Sequence, residues 1–152
     1  MHADLLRTNF RLERFDGMFM NVREPIARFR SEYLMRHDTR THVPTDEKSV
    51  EDWAFEQFEI YDSDSYHLDN HLRPQSEFYL PGAKVFKLED GLDEMLGTLA
   101  DELAIDLLAK AGRDQRGGKS AGVSSKDVEI SDKLRAELKR RYAEGFERFG
   151  YE

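Results

Sequence analysis

The chain has 152 residues, one domain's worth, and a chain of this size buries roughly 70% of the surface its unfolded form exposes. Charged residues make up 36% of it and the net charge is -8, which disfavours a general nucleic-acid binder. Cysteine is absent, which removes disulfide, thiolate and cysteine-ligated zinc chemistry.

Residues Ala3 to Arg14 carry a weak helical spacing that ends before Asp16-Gly17. The apolar stretch Met18 to Val22 then reads as a short buried strand. Pro25 can only begin a helix, which buries Ile26, Phe29 and Tyr33 on one stripe and turns Glu24, Arg28 and Ser31 to another. His37 to Lys48 reads as a loop. Ser49, with Asp52 three residues on, caps a helix whose Trp53, Phe55, Phe58 and Tyr61 are expected to be core. A polar connector, Asp62 to Asn70, leads to His71-Leu-Arg-Pro74-Gln75. A second strand is expected over Ala83 to Leu88 and an amphipathic helix over Leu92 to Ala111. Residues 113–130 read as a flexible or ligand-closing loop containing Gly117-Gly118-Lys119-Ser120. Ser131 then caps a last helix with Leu134, Leu138, Tyr142, Phe146 and Phe149 on one stripe, ending at Gly150.

The junction at Arg23 carries the functional signal. Arg23 falls at the carboxyl end of a strand, where open α/β sheets place ligands, and the following helix start offers amide N–H groups to an anion. His67 and His71 stand four apart, a spacing open to metal ligation, but Pro74 argues against a helix there and favours hydrogen-bonding roles, with no metal. Asp62, Asp64 and Asp69 lack the glycine and closing glutamate of a calcium loop.

Arg23, Glu24, Pro25, Arg28, Ser31 and Tyr33 reproduce an Arg-Asp/Glu-Pro-x-x-Arg-x-x-Ser-x-Tyr element. In this the chain resembles the carbohydrate sulfotransferases that use 3'-phosphoadenosine 5'-phosphosulfate (PAPS), the heparan sulfate 2-O-sulfotransferases among them. His71, Pro74 and Gln75 are similar to that family's His-x-x-Pro-Gln; Val85 to Glu89 and Tyr142 to Tyr151 are similar to two later segments of it. The resemblance implies an α/β fold, a short parallel sheet flanked by helices in a P-loop-like sulfotransferase domain, filling residues 1–152 as one unit. It implies PAPS as sulfate donor and, as acceptor, a hydroxyl of a carbohydrate. Arg23 and Ser31 would bind the donor's 3'-phosphate, Lys119 and Ser120 would close over it, and Arg28 and His71 would face the acceptor. His2 would be the general base, since a histidine lies ahead of the strand at this distance in the 2-O-sulfotransferases.

One family element has no counterpart in the sequence: the strand and lysine-bearing loop that hold the 5'-phosphosulfate. The expectation is therefore an amino-terminally truncated domain, and the alternative is a non-catalytic remnant that binds a nucleotide or a partner protein. No apolar run approaches the roughly 18 residues of a membrane span, and the first residues lack the order of a signal peptide. The chain as written is expected to be cytoplasmic, or membrane-associated if an upstream anchor belongs to it. An exposed sheet edge would favour a homo-oligomer.

Overall fold

Ser49 and Ser131 start the two helices that frame the core. In the computed structural model, which describes residues 2–37, 49–104 and 124–152, Ser49 accepts the Asp52 amide at 3.1 Å and Ser131 the Leu134 amide at 3.1 Å. Each serine satisfies an N–H that the first helical turn leaves open. The described helices are α1 (Ala3–Asn9), α2 (Pro25–His37), α3 (Val50–Ser63), α4 (Leu92–Leu103), α5 (Asp132–Arg141) and α6 (Ala143–Phe149); the strands are β1 (Phe19–Val22) and β2 (Lys84–Lys87).

β1 and β2 pair in parallel, Phe19 opposite Lys84 and Val22 opposite Lys87. The α/β class and the short parallel sheet are as the sequence predicts. The main core lies among the helices: Ile26 and Phe29 of α2, Trp53, Ala54 and Phe58 of α3, and Leu134, Leu138, Tyr142 and Phe146 nearer the carboxyl end, with Leu72 from the intervening loop. Trp53 and Phe58 are buried as expected, and Phe55 and Tyr61 are half-buried at its margin.

Polar contacts align α3 with α5. Glu51, in the first turn of α3, accepts from the Ser131 hydroxyl and from Lys133 Nζ. In the last turns, the Arg141 guanidinium donates two bonds of 2.7 Å to the Asp62 carboxylate. First turn meets first turn and last meets last, so the two helices run in the same direction.

The predicted last helix divides into α5 and α6 at Tyr142, whose φ of -106° and ψ of 17° leave the helical region. The apolar stripe survives the break because Leu134, Leu138, Tyr142, Phe146 and Phe149 all remain buried. Tyr142 buries its ring and donates its hydroxyl to the Leu72 carbonyl at 3.0 Å; burial pushes the phenol's pKa up, so it stays a donor. The first predicted helix stops at Asn9 and continues as a 3-10 turn, Leu12–Arg14. The predicted helix from Leu92 is present to Leu103, where Ala104 turns left-handed; its remainder lies outside the described residues. The described end of the predicted 113–130 loop is packed: Ser124 caps a 3-10 turn, Ser125–Asp127, and Val128 is buried. No described helix is long and apolar enough to cross a membrane.

Glu137 on α5 supplies an acid-sensitive contact. Hydrogen bonds from Arg140 and then Arg141 hold its carboxyl down to about 2, against an ordinary 4.5. Its value in the folded chain lies below the unfolded one, so its contribution is present above the ordinary value and is lost as pH falls toward 2. Glu137→Gln is expected to flatten the acid-side fall in stability over that window, as read by urea unfolding at a series of pH values; an unchanged slope would refute the assignment.

Candidate functional site

Arg23 follows Val22, which is 1% exposed, and its backbone is clamped by a side chain. The Gln75 amide accepts the Arg23 N–H at 2.9 Å and donates to the Arg23 carbonyl at 2.6 Å. One primary amide thus serves both backbone groups at the strand's end, as a neighbouring strand would. The next residue is pinned as well, the Glu24 N–H donating to Glu89 Oε1 at 2.9 Å. Glu89 Oε2 accepts the Tyr151 hydroxyl at 3.0 Å. Tyr151 reaches back because Gly150 ends α6 with a φ of 64°, a conformation a side chain disfavours.

The start of α2 differs from expectation. Its amides are filled from within, the Glu24 carboxylate accepting Ile26 N–H at 3.0 Å and Ala27 N–H at 2.6 Å. Pro25 has no N–H to offer. An anion on those amides would have to displace a carboxylate, so the positive group left at the junction is the Arg23 guanidinium. It is half-buried, and it donates no hydrogen bond to another described residue. Its charge is felt by Glu89: burial works against that carboxyl, but the Glu24 amide, the Tyr151 hydroxyl and Arg23 together bring its pKa below the ordinary value. Ser31, on the second turn of α2, is likewise half-buried, with no hydrogen bond from its hydroxyl to a described residue.

Neighbouring cations are engaged. A cleft of about 620 Å³ opens beside the carboxyl end of β2, with Lys87, Arg148, Tyr79 and Phe149 among its walls. Lys87 Nζ donates to the Gly150 carbonyl at 3.1 Å and lies 4.5 Å from the Tyr151 ring centroid. Arg148 donates to Glu144 at 2.7 Å and stacks on Tyr79. Arg23 differs from both in that its guanidinium donates to no described residue.

The other face of α2 carries Arg28, Glu32 and Arg36, each one turn from the next, and it grips the loop between α3 and β2. Arg28 donates to the Arg73 carbonyl at 2.8 Å and to the Asn70 carbonyl at 3.4 Å. Arg36 reaches the Leu68 carbonyl at 3.4 Å. Arg28 is half-buried and desolvation lowers its pKa; its guanidinium is used on loop carbonyls. The gripped segment is unusual: Leu68, Asp69 and Asn70 have φ of 51°, 54° and 67°. Left-handed backbone costs a non-glycine residue about 1–2 kcal/mol, so three in succession need outside support. Arg73, 6% exposed, adds more from inside the loop, donating to Asn70 Oδ1 at 2.9 Å and the Ser65 carbonyl at 3.1 Å and pairing with Glu77.

The same turn delivers His71 to Glu32. His71 Nδ1 lies 2.5 Å from Glu32 Oε2, and Arg36 Nε lies 2.7 Å from Glu32 Oε1. The Glu32 side chain is 4% exposed and that of His71 45%. His67 instead pairs with Gln57 at 2.7 Å, so the two histidines do not converge. His2 Nε2 meets the Tyr66 hydroxyl at 3.2 Å, and Tyr66 in turn carries the Arg73 guanidinium 5.3 Å from its ring centroid. Lys119 and Ser120 lie outside the described residues.

The contacts link Arg28 and His71 through the loop that α2 holds, tie that loop to the Arg23 backbone through Gln75, and bring His2 to Tyr66; among the described residues no hydrogen bond joins the Arg23 and Ser31 side chains. Sequence reasoning passed over Glu32, Gln75 and Glu89 as working parts. For Glu32 the Arg28, Glu32, Arg36 spacing was a usable signal; for the other two only their place inside the later motifs was.

The chain belongs to the sulfotransferase family, whose sequence model matches residues 9–152. The chemistry of that family is sulfuryl transfer. No curated protein and no solved structure matches the chain.

Gln75→Ala would leave both backbone groups of Arg23 without their partner. The expected loss is about 1–3 kcal/mol of unfolding free energy, measured in urea; a change within about 0.5 kcal/mol would show that the clamp is replaceable.

Proposed function

We propose that this chain takes part in the transfer of a sulfuryl group from PAPS to the hydroxyl of a carbohydrate, in the manner of the heparan sulfate 2-O-sulfotransferases. The observation that carries the proposal is the open guanidinium of Arg23 at the end of β1, on a backbone clamped by Gln75 and Glu89. A phosphate monoester is a natural partner for a guanidinium fork with its donors open, because two parallel charge-assisted bonds can form without a rearrangement of the strand.

Ser31 would add a hydroxyl to the same 3'-phosphate, and Lys119 and Ser120 would close over the nucleotide. Arg28 would serve the acceptor side by holding the loop that carries His71. Transfer to a sugar hydroxyl is helped by a neutral imidazole that accepts the proton. The resemblance gives that role to His2; His67 and His71 are the imidazoles of the loop itself.

Adenosine 3',5'-bisphosphate, the product form of the donor, tests the reading without an acceptor. Isothermal titration is expected to show binding by the wild-type chain and a loss of about 10- to 100-fold for Arg23→Ala, the range for a charge-assisted bond. Ser31→Ala is expected to lose less. Equal affinity for wild type and Arg23→Ala would overturn the proposal.

A further inference from the structure

The pairing of His71 with Glu32 has a form that loop anchoring does not require. Three consecutive left-handed residues, already held by Arg28, Arg36 and Arg73, bring a half-exposed imidazole onto a buried carboxylate at 2.5 Å. Strain of this kind concentrates at functional positions. Glu32 is also fixed in orientation, since Arg36 holds its other oxygen at 2.7 Å.

The chemistry of the contact settles which ring nitrogen is available. A carboxylate accepts, so Nδ1 carries the hydrogen and donates to Glu32; the Nε2 lone pair is then the free one, on a ring whose side chain is 45% exposed. A buried carboxylate that holds Nδ1–H fixes the tautomer and the ring plane. His67, four residues earlier, shows the contrast: its partner is the neutral amide of Gln57. His2 has no carboxylate behind it in the described contacts; its Nε2 meets a tyrosine hydroxyl.

Position agrees with chemistry. Glu32 directly follows Ser31 on α2, and seven residues of helix separate it from Pro25, about 10 Å along the axis. Gln75 ties the other end of the same loop to Arg23. His71 and the Arg23 junction are therefore opposite ends of one braced segment.

We infer that His71 is the general base for the acceptor hydroxyl, with Glu32 as its positioning residue. This rests on the sulfotransferase reading above. In the step, His71 Nε2 takes the hydroxyl proton as the acceptor oxygen attacks the sulfur of PAPS. The new S–O bond forms while the bond from sulfur to the bridging phosphate oxygen breaks, and adenosine 3',5'-bisphosphate leaves with that electron pair. The proton then passes from Nε2 to solvent.

The first test uses the full chain, PAPS labelled in its sulfuryl group, and desulfated heparin as acceptor probe. His71→Ala is expected to lower kcat by about 100-fold or more, to leave bisphosphate affinity unchanged, and to regain turnover when imidazole is added. Glu32→Gln is expected to lower kcat by about tenfold with KM unchanged, and His67→Ala to retain turnover. Wild-type kcat in His71→Ala, or a loss that imidazole does not relieve, would overturn the inference.

A second measurement needs no acceptor. With the histidine rings labelled with nitrogen-15, the His71 resonances are expected to shift further with PAPS than with adenosine 3',5'-bisphosphate, because only PAPS places a sulfuryl group beside the ring. Equal shifts would overturn the role of His71 while leaving the donor site intact. Failure of the wild-type chain to bind either nucleotide would instead overturn the donor reading, and the inference with it.

Discussion

The polar stripe of α2 is the constraint on which the rest of the molecule depends. Arg28, Glu32 and Arg36 occupy one helical face, and each meets the loop that runs from Leu68 to Arg73. That loop contains three left-handed residues, of which Asp69 and Asn70 are types that tolerate the conformation and Leu68 is not. Bonds from guanidinium groups to its carbonyls offset the backbone cost. Glu32 is the sensitive member: it is a buried carboxylate whose two oxygens are each paired, one with Arg36 and one with His71. The opposite face of α2 supplies Ile26 and Phe29 to the core. One helix therefore packs the domain with its apolar side and shapes the site with its polar side.

Arg23 and the His-x-x-Pro-Gln segment form one device. Gln75 acts as a surrogate strand on the backbone of Arg23, and Glu89 fastens the next residue to the last turn of the chain through Tyr151. These bonds immobilise the backbone while the Arg23 side chain keeps its donors. Lys87 and Arg148 carry the same charge nearby, yet both are held by protein partners. What separates a binding cation from a structural one here is its existing partners, since charge alone is common to all of them.

Local rules made much of this fold legible before any coordinates. Ser49 and Ser131 cap as their spacing predicts, and the stripe from Leu134 to Phe149 is buried throughout. The break at Tyr142 has no local signal in the apolar stripe, and the partner of its phenol, the Leu72 carbonyl, lies 70 residues away. The same reason hid the partner of His71, which lies 39 residues away. At the start of α2 the sequence misled for a different reason. Glu24 reads as part of an anion-binding element, but a glutamate directly before a helix can fold back onto the amides that an anion would use, and here it does. Arg28 shows the converse, a motif cation drawn into loop architecture.

The separation of β1 from β2 has a consequence for how the chain acquires its structure. The helices can form from neighbouring residues, but the Arg23–Gln75 contact spans 52 positions and the two strands embrace α2, α3 and the left-handed turn. Loop-closure entropy of that excursion must be met before any ladder bond compensates for it. Packing of Ile26 and Phe29 against Leu134 and Leu138 closes a still longer stretch of chain, so neither the sheet nor the helical core is favoured by proximity along the sequence.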